Sequence, residues 1–122
     1  MKFSPLDKLF GQYIRMRAIQ RVHGCERCLT GKSSWKELQC SHFIGRGRRS
    51  VRFDEDNAIG LCGACHMYLT AHPLEHVRWF TEHLGQEGVD LLLARNRDMI
   101  KPDEKLIAIY YREKIKELEN DL

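Results

Sequence analysis

Apolar residues recur every three to four positions in the first part of the chain, which is the spacing that places side chains on one face of an α-helix. This apolar face consists of Leu6, Leu9, Phe10, Tyr13 and Ile14. Ser4 and Pro5 precede it and are typical of a helix start, because a serine hydroxyl caps free backbone N–H groups and proline loses no hydrogen bond at the first helical position. The pattern therefore predicts an amphipathic helix over residues 5–21.

Short apolar segments replace this pattern in the middle of the chain. A segment within Trp35–Ile44 predicts a first strand, and Val51–Phe53 predicts a second. Glycine and arginine dominate residues 45–50 between them, which predicts a long hairpin loop, and residues 54–57 have the composition of a turn. A helix is expected to begin at Gly63 or Ala64 and to end near Ala71.

The C-terminal third is predicted to be helical. Pro73 begins one helix and Gly85 ends it, a short helix occupies residues 88–96, and a last helix begins at Lys101–Pro102 and continues to the end. The chain is expected to form one domain over 1–122, with an N-terminal helix at 5–21, a zinc knuckle and two-stranded core at 25–72, and C-terminal helices at 73–122. The predicted fold class is α+β.

Two Cys-x-x-Cys pairs indicate a metal site: Cys25 with Cys28, and Cys62 with Cys65. Zinc prefers four such ligands in a tetrahedron, and a chain of 122 residues, with its small core, gains stability from a structural metal. The N-terminal residues lack the apolar run of a signal peptide, and no run approaches the ~20 apolar residues of a membrane span, so we expect reduced thiols in a cytoplasm. The spacing leaves two questions open: the pairs could be buried or redox thiols, and Cys40 or a histidine could replace one ligand.

Basic residues are concentrated in one segment, although the net charge is only +3. Between Lys32 and Phe53, six basic residues stand against the single acid Glu37. Four of these are the arginines Arg46, Arg48, Arg49 and Arg52, which we expect to contact DNA phosphates. A solvated basic loop is the alternative interpretation.

Two histidines stand where phosphodiester hydrolysis would need them. Such a reaction requires a base for water and a cation at the scissile phosphate. His42 ends the predicted first strand, and His66 lies in the first turn of the predicted helix that follows Cys62. Alternatively, His42 is an ordinary core or surface histidine, and His66 marks a helix start or replaces a cysteine on zinc.

The segment resembles the HNH endonuclease motif of the His-Me finger (ββα-metal) superfamily, in the variant with two Cys-x-x-Cys pairs around a structural zinc. His42, Asn57 and His66 match its three signature positions. Residues 5–85 are similar to phage recombination nucleases of the NinG (Rap) type and related prophage HNH proteins. The resemblance implies a small ββα-metal core with flanking helices, with His42 as general base and His66 as ligand of a catalytic Mg²⁺, Mn²⁺ or Zn²⁺. Asn57 would pin the loop between the second strand and the helix.

One position departs from the resemblance. Many HNH enzymes place Asp or His immediately before the base as a second metal ligand, and this chain has Ser41 there. His72 is a candidate replacement ligand. His72 and His76 also have the i, i+4 spacing of a metal pair, although Pro73 favours a surface pair at a helix start.

The sequence thus favours a metal-dependent DNA endonuclease acting on duplex or branched DNA, without a membrane. If the chain is phage-encoded, its place is the host cytoplasm. A homodimer and a recombination partner protein are both compatible with this interpretation. The alternative is a zinc-stabilised DNA-binding module without catalysis. A purely structural zinc protein that docks a partner through the C-terminal helix would not account for His42 or for the arginine-rich loop at residues 45–50, here called the arginine loop.

Overall fold

The fold is α+β, and the computed structural model describes residues 2–121. In chain order these residues form α1 (Pro5–Val22), β1 (Gln39–His42), β2 (Ala58–Leu61), α2 (Gly63–Ala71), α3 (Pro73–Arg97) and α4 (Glu104–Asp121). Three short 3₁₀ turns at Trp35–Glu37, Arg49–Val51 and Glu55–Asn57 lie in the connections. None of the helices within 2–121 has the length and apolar character needed to cross a bilayer.

Helix α1 is central to the molecule and packs against both α4 and the sheet. It begins with a capping box, in which the Ser4 hydroxyl accepts from the Asp7 backbone N–H and the Asp7 carboxylate accepts from the Ser4 backbone N–H. Its first half joins Phe10 and Ile14 to Tyr111 of α4 in one apolar cluster. Its second half enters another cluster with β2, α2 and α3. Helix α1 ends at Val22, so the predicted end at residue 21 is confirmed within one residue.

The two strands are antiparallel, with Gln39 opposite Leu61 and His42 opposite Ala58. The prediction of a second strand at Val51–Phe53 was wrong, because Val51 ends a 3₁₀ turn and the next two residues continue as a turn. All three are buried, so their apolar–basic–apolar order does not reflect two faces of a strand. Strand β2 is buried at every position. Its residues do not alternate between apolar and polar, so the alternation typical of a half-buried strand could not identify it.

Gly60 explains how closely β2 approaches α1. A Cβ atom added at Gly60 would lie 2.6 Å from the Cβ of Ala18. Only a residue without a side chain fits this contact, which brings the backbone of β2 onto the helix.

The predicted helix stop at Gly85 is confirmed, whereas the predicted start of the last helix was wrong. Gly85 has non-helical backbone angles, φ 75° and ψ 160°, and this kink separates α3 into two helical parts. The last helix begins at Glu104 instead of at Lys101–Pro102.

Candidate metal centre and histidine cleft

The structure brings the four cysteines of the two Cys-x-x-Cys pairs together. The sulfur atoms of Cys25, Cys28, Cys62 and Cys65 all lie within 4.8 Å of one another. Cys28 Sγ and Cys62 Sγ are 3.8 Å apart. A tetrahedral zinc with Zn–S bonds of ~2.3 Å requires S···S edges of about 3.8 Å, so the group fits a structural zinc ion. Cys40 lies outside this group.

Burial and neighbouring polar groups affect the charge and protonation of the four cysteine thiols. A guanidinium N–H of Arg27 donates to Cys65 Sγ at 3.3 Å and would offset part of the negative charge of four thiolates around zinc. Burial raises the pKa of Cys65 to about 12, while hydrogen bonding with Thr30 lowers the pKa of Cys28 to about 6. The buried Cys65 thiol would therefore keep its proton without a bound cation.

The first cysteine pair is attached directly to the sheet. The backbone N–H of Glu26 donates to the Gly60 carbonyl at 3.0 Å, and the Gly60 N–H donates to the Glu26 carboxylate at 2.7 Å. Cys62 caps α2, because its sulfur accepts from the backbone N–H of Cys65 at 3.4 Å. The cysteine group thus joins the segment after α1, the end of β2 and the start of α2.

His42 ends β1, and its ring lies against Phe10 with centroids 5.5 Å apart. Its Nε2 is 2.9 Å from the carbonyl oxygen of Arg52. Since a carbonyl can only accept, Nε2 carries the proton and Nδ1 keeps a free lone pair. Burial lowers the pKa of His42, and the hydrogen bond to Arg52 opposes this only in part. The arrangement therefore gives a neutral imidazole with Nδ1 as its basic atom.

Arg52 has a different role from the phosphate contact expected from the sequence. Its side chain is buried, and its guanidinium donates to the Asp7 carboxylate, with Nε 2.9 Å from Oδ1, and to the Lys2 carbonyl. Burial alone would raise the pKa of Asp7, but hydrogen bonds from Arg52 and Ser4 outweigh it and hold this pKa below its usual value. Arg52 thus ties the inter-strand loop to the first turn of α1.

Asn57 is completely buried and holds the same loop from its other end. Its Oδ1 accepts from the Ile44 N–H at 2.7 Å, and its Nδ2 donates to the carbonyls of Ile44 at 2.9 Å and Val51 at 3.0 Å. The segment it pins is the connection between β1 and β2. The expectation that Asn57 lies between the second strand and the helix was wrong, because β2 follows Asn57.

His66 lies in the first turn of α2, and Gln39 of β1 contacts its ring. Nδ1 of His66 is 2.6 Å from Oε1 of Gln39. An amide oxygen can only accept, so Nδ1 bears the proton and Nε2 is free to bind a cation. Burial lowers the pKa of His66, which keeps the ring neutral near pH 7.

His42 and His66 line one cleft of about 830 Å³ between α1 and β1. Asp7, Arg15 and Arg46 also line it. Arg46 lies over the Phe3 ring at 5.2 Å and 3.7 Å from Asp7, while Arg48 and Arg49 are exposed on the loop outside. The cleft therefore combines two neutral histidines with cationic side chains.

The positions expected to supply a further metal ligand lie elsewhere. Ser41 is buried, and His72 is exposed, with Nδ1 2.7 Å from the Tyr68 carbonyl and its ring stacked on Tyr68. His76 packs against the rings of Phe43 and Phe80. In the part of the chain that the structure describes, the four cysteines are the one group of three or more metal-ligating side chains.

Sequence reasoning missed Asp7 as the partner of Arg52 and Gln39 as the partner of His66. Ser4 and Pro5 indicated the helix start beside Asp7, but no local signal connects Asp7 to residue 52. The one indirect indication that Gln39 lies near the site was its position three residues before His42 on the same short strand.

Comparison with known proteins gives a match over nearly the whole chain. The model of the family described as NinG, Bacteriophage Lambda NinG protein, matches residues 3–121. Neither the curated proteins nor the solved structures contain a match.

Proposed function

Since the chain belongs to the phage NinG family, we propose that it is a metal-dependent DNA endonuclease of the HNH type. The observation that carries the proposal is the common cleft of His42 and His66, each with one ring nitrogen occupied by an oxygen acceptor and the other free. Hydrolysis of a phosphodiester needs a neutral base and a ligand for a cation at one site, and two neutral histidines that line one cleft can supply both.

The order of elements supports this interpretation. His42 ends β1, Asn57 fixes the loop before β2, and His66 follows in the first turn of α2. We take β1, β2 and α2 as the ββα-metal core, with Cys25, Cys28, Cys62 and Cys65 as structural zinc ligands away from the chemistry.

In this proposal His42 is the general base. Nδ1 takes a proton from the attacking water, while the Arg52 carbonyl holds the ring through Nε2 and stabilises the imidazolium that forms. The buried ion pair of Arg52 with Asp7 keeps that carbonyl in place. Arg46, at the cleft wall, is positioned to bind a phosphate oxygen.

His66 would hold the catalytic divalent cation through Nε2, with Gln39 orienting the ring. With one imidazole ligand, the remaining positions would be filled by water and phosphate oxygens, which Mg²⁺ and Mn²⁺ prefer, while the imidazole itself also suits Zn²⁺. When bound, such a cation would neutralise charge at the scissile phosphate and the leaving oxygen.

A second function, a zinc-stabilised DNA-binding module without catalysis, is favoured by a specific observation. Ser41 is buried where HNH enzymes have an acidic or histidine ligand, and the described residues provide no second cluster of three ligands. The free Nδ1 of His42 has no evident purpose in a binding module, and for this reason we favour the enzyme.

The substrate is proposed to be duplex or branched DNA in the cytoplasm of a phage host. A homodimer would allow two cuts in one duplex or junction, and a recombination partner protein would deliver the DNA. The exposed Arg48 and Arg49 support DNA as a partner, because cationic side chains attract phosphates.

The test is cleavage of supercoiled plasmid and of a synthetic four-way junction by purified protein with Mg²⁺, Mn²⁺ or no divalent cation. We expect cation-dependent cutting that is lost in His42→Ala and retained in His83→Ala, a matched change of an exposed histidine outside the cleft. Folding of both variants is checked by circular dichroism and zinc content. Binding without cutting under every condition would favour the DNA-binding module.

A further inference from the structure

A second cationic groove lies outside the histidine cleft, between the arginine loop and the C-terminal end of α3. It has a volume of about 720 Å³. Arg48 and Arg49 line it from the loop, and Arg97 and Lys101 line it from the end of α3 and the segment that follows.

The walls of this groove are held together by defined contacts. The Ser50 hydroxyl donates to the Asn96 carbonyl at 3.2 Å, which joins the loop to α3. One residue earlier in α3, the Arg95 guanidinium donates to Asp54 at 2.6 Å and to Asp56 at 3.0 Å. These ion pairs hold α3 against the segment before β2. The contacts thus fix the end of α3 beside the loop that forms the other wall of the groove.

The charged side chains that line the groove are all cationic. Within the described residues, no Asp or Glu lines it and none of its four cationic side chains makes an ion pair. All four side chains are exposed. Four cationic side chains without an ion-pair partner around one groove attract a polyanion. Its phosphates can pair with them without breaking an ion pair within the protein.

We propose that this groove binds the phosphate backbone of DNA beyond the site of cleavage. The inference rests on the proposed function and extends the DNA contacts to Arg97 and Lys101. The arginine loop lies between the two sites, with Arg46 on the histidine cleft and Arg48 and Arg49 on the groove. Met99 and Ile100 are exposed beside these cationic residues and offer apolar contact to sugars or to an unpaired base.

The experiment measures DNA binding of Arg97→Gln/Lys101→Gln by fluorescence anisotropy over a series of salt concentrations without added divalent cation. The matched control is Lys105→Gln/Arg112→Gln, which removes the same charge from exposed positions of α4. We expect the groove variant to bind about tenfold more weakly and the slope of log K against log salt to fall by about 1.8 for two lost contacts. The control should change the affinity by less than about threefold.

Equal affinity and equal salt slope for the groove variant and its control would overturn the inference. Arg97→Lys/Lys101→Arg keeps both charges and should bind like wild type, and a loss of binding there would also count against a charge-based site. The outcome is separate from the nuclease proposal. If the groove variant binds DNA more weakly but wild type cuts no DNA, the nuclease proposal alone is refuted. If wild type cuts DNA but the groove variant binds it as well as the control does, the groove inference alone is refuted.

Discussion

The carbonyl oxygen of Arg52 lies 2.9 Å from Nε2 of His42, and the side chain of the same arginine is bound by Asp7. One residue therefore connects the first turn of α1 to the histidine at the end of β1. Its backbone fixes the tautomer of the proposed base, and its side chain fixes the position of that backbone.

Asp7→Asn should destabilise the protein because it leaves the buried Arg52 guanidinium without its charge partner. The expected loss in the free energy of unfolding is about 3 kcal/mol, measured by urea denaturation. DNA cleavage should fall as well, since the Arg52 carbonyl is less well placed. Asp90→Asn is the control, because Asp90 is exposed and accepts a hydrogen bond from Gln86 of its own helix; its change should stay within about 0.5 kcal/mol. Equal stability of the two variants would contradict the role assigned to this ion pair.

The pH dependence of cleavage should reflect the lowered pKa of His42. Burial disfavours the imidazolium, so the neutral base is present at lower pH than for an ordinary histidine. The acid limb of kcat/KM should therefore have its midpoint below 6.5, and NMR titration of the His42 ring should give the same value. By linkage, this group's contribution to stability is present above the unfolded pKa and is lost as pH falls through the folded one. A midpoint at or above 6.5 would be inconsistent with a buried neutral base.

Gln39→Ala should release the ring of His66 and weaken the binding of a divalent cation about 10- to 100-fold. The direct measurement is the ¹⁵N spectrum of the His66 ring in protein without added divalent cation. Wild type should show the proton on Nδ1, and the variant should show a mixture of tautomers. Gln39→Glu keeps an acceptor oxygen and should restore the single tautomer. Gln12→Ala removes another glutamine of the same cleft as a control, and a Gln39→Ala spectrum identical to it would refute the positioning role.

Zinc content should depend on four of the five cysteines. Elemental analysis is expected to give one zinc per chain, which Cys62→Ser loses and Cys40→Ser retains, because Cys40 lies outside the sulfur cluster. Chelation should lower the melting temperature, since the cluster joins the segment after α1 to β2 and α2. Full zinc content in Cys62→Ser would rule out the assigned ligand set.

Local signals explain how much of the fold could be predicted. The start of α1, the extent of α2 and the two cysteine pairs were predictable because capping residues, proline and Cys-x-x-Cys spacing act within a few residues. The missed features are contacts between distant residues: Arg52 and Asp7 are 45 positions apart, and His66 and Gln39 are 27 apart. The sequence does not distinguish the arginines between the two strands from one another. Only their tertiary contacts show that Arg52 is buried while Arg48 is exposed.

The contact of Gly60 with Ala18 gives the sharpest test of how the sheet meets α1. Gly60→Ala places a methyl group 2.6 Å from the Ala18 Cβ, and should cost about 1–3 kcal/mol in the free energy of unfolding because neither backbone can easily move. Gly45→Ala is the control, since nothing lies within 4 Å of its added Cβ. Ala18→Gly alone should cost about 1 kcal/mol as a glycine inside a helix. Combined with Gly60→Ala it removes the overlap, so the double variant should be more stable than the sum of the single changes predicts. Simple additivity in this cycle would mean that β2 and α1 are farther apart than the structure places them.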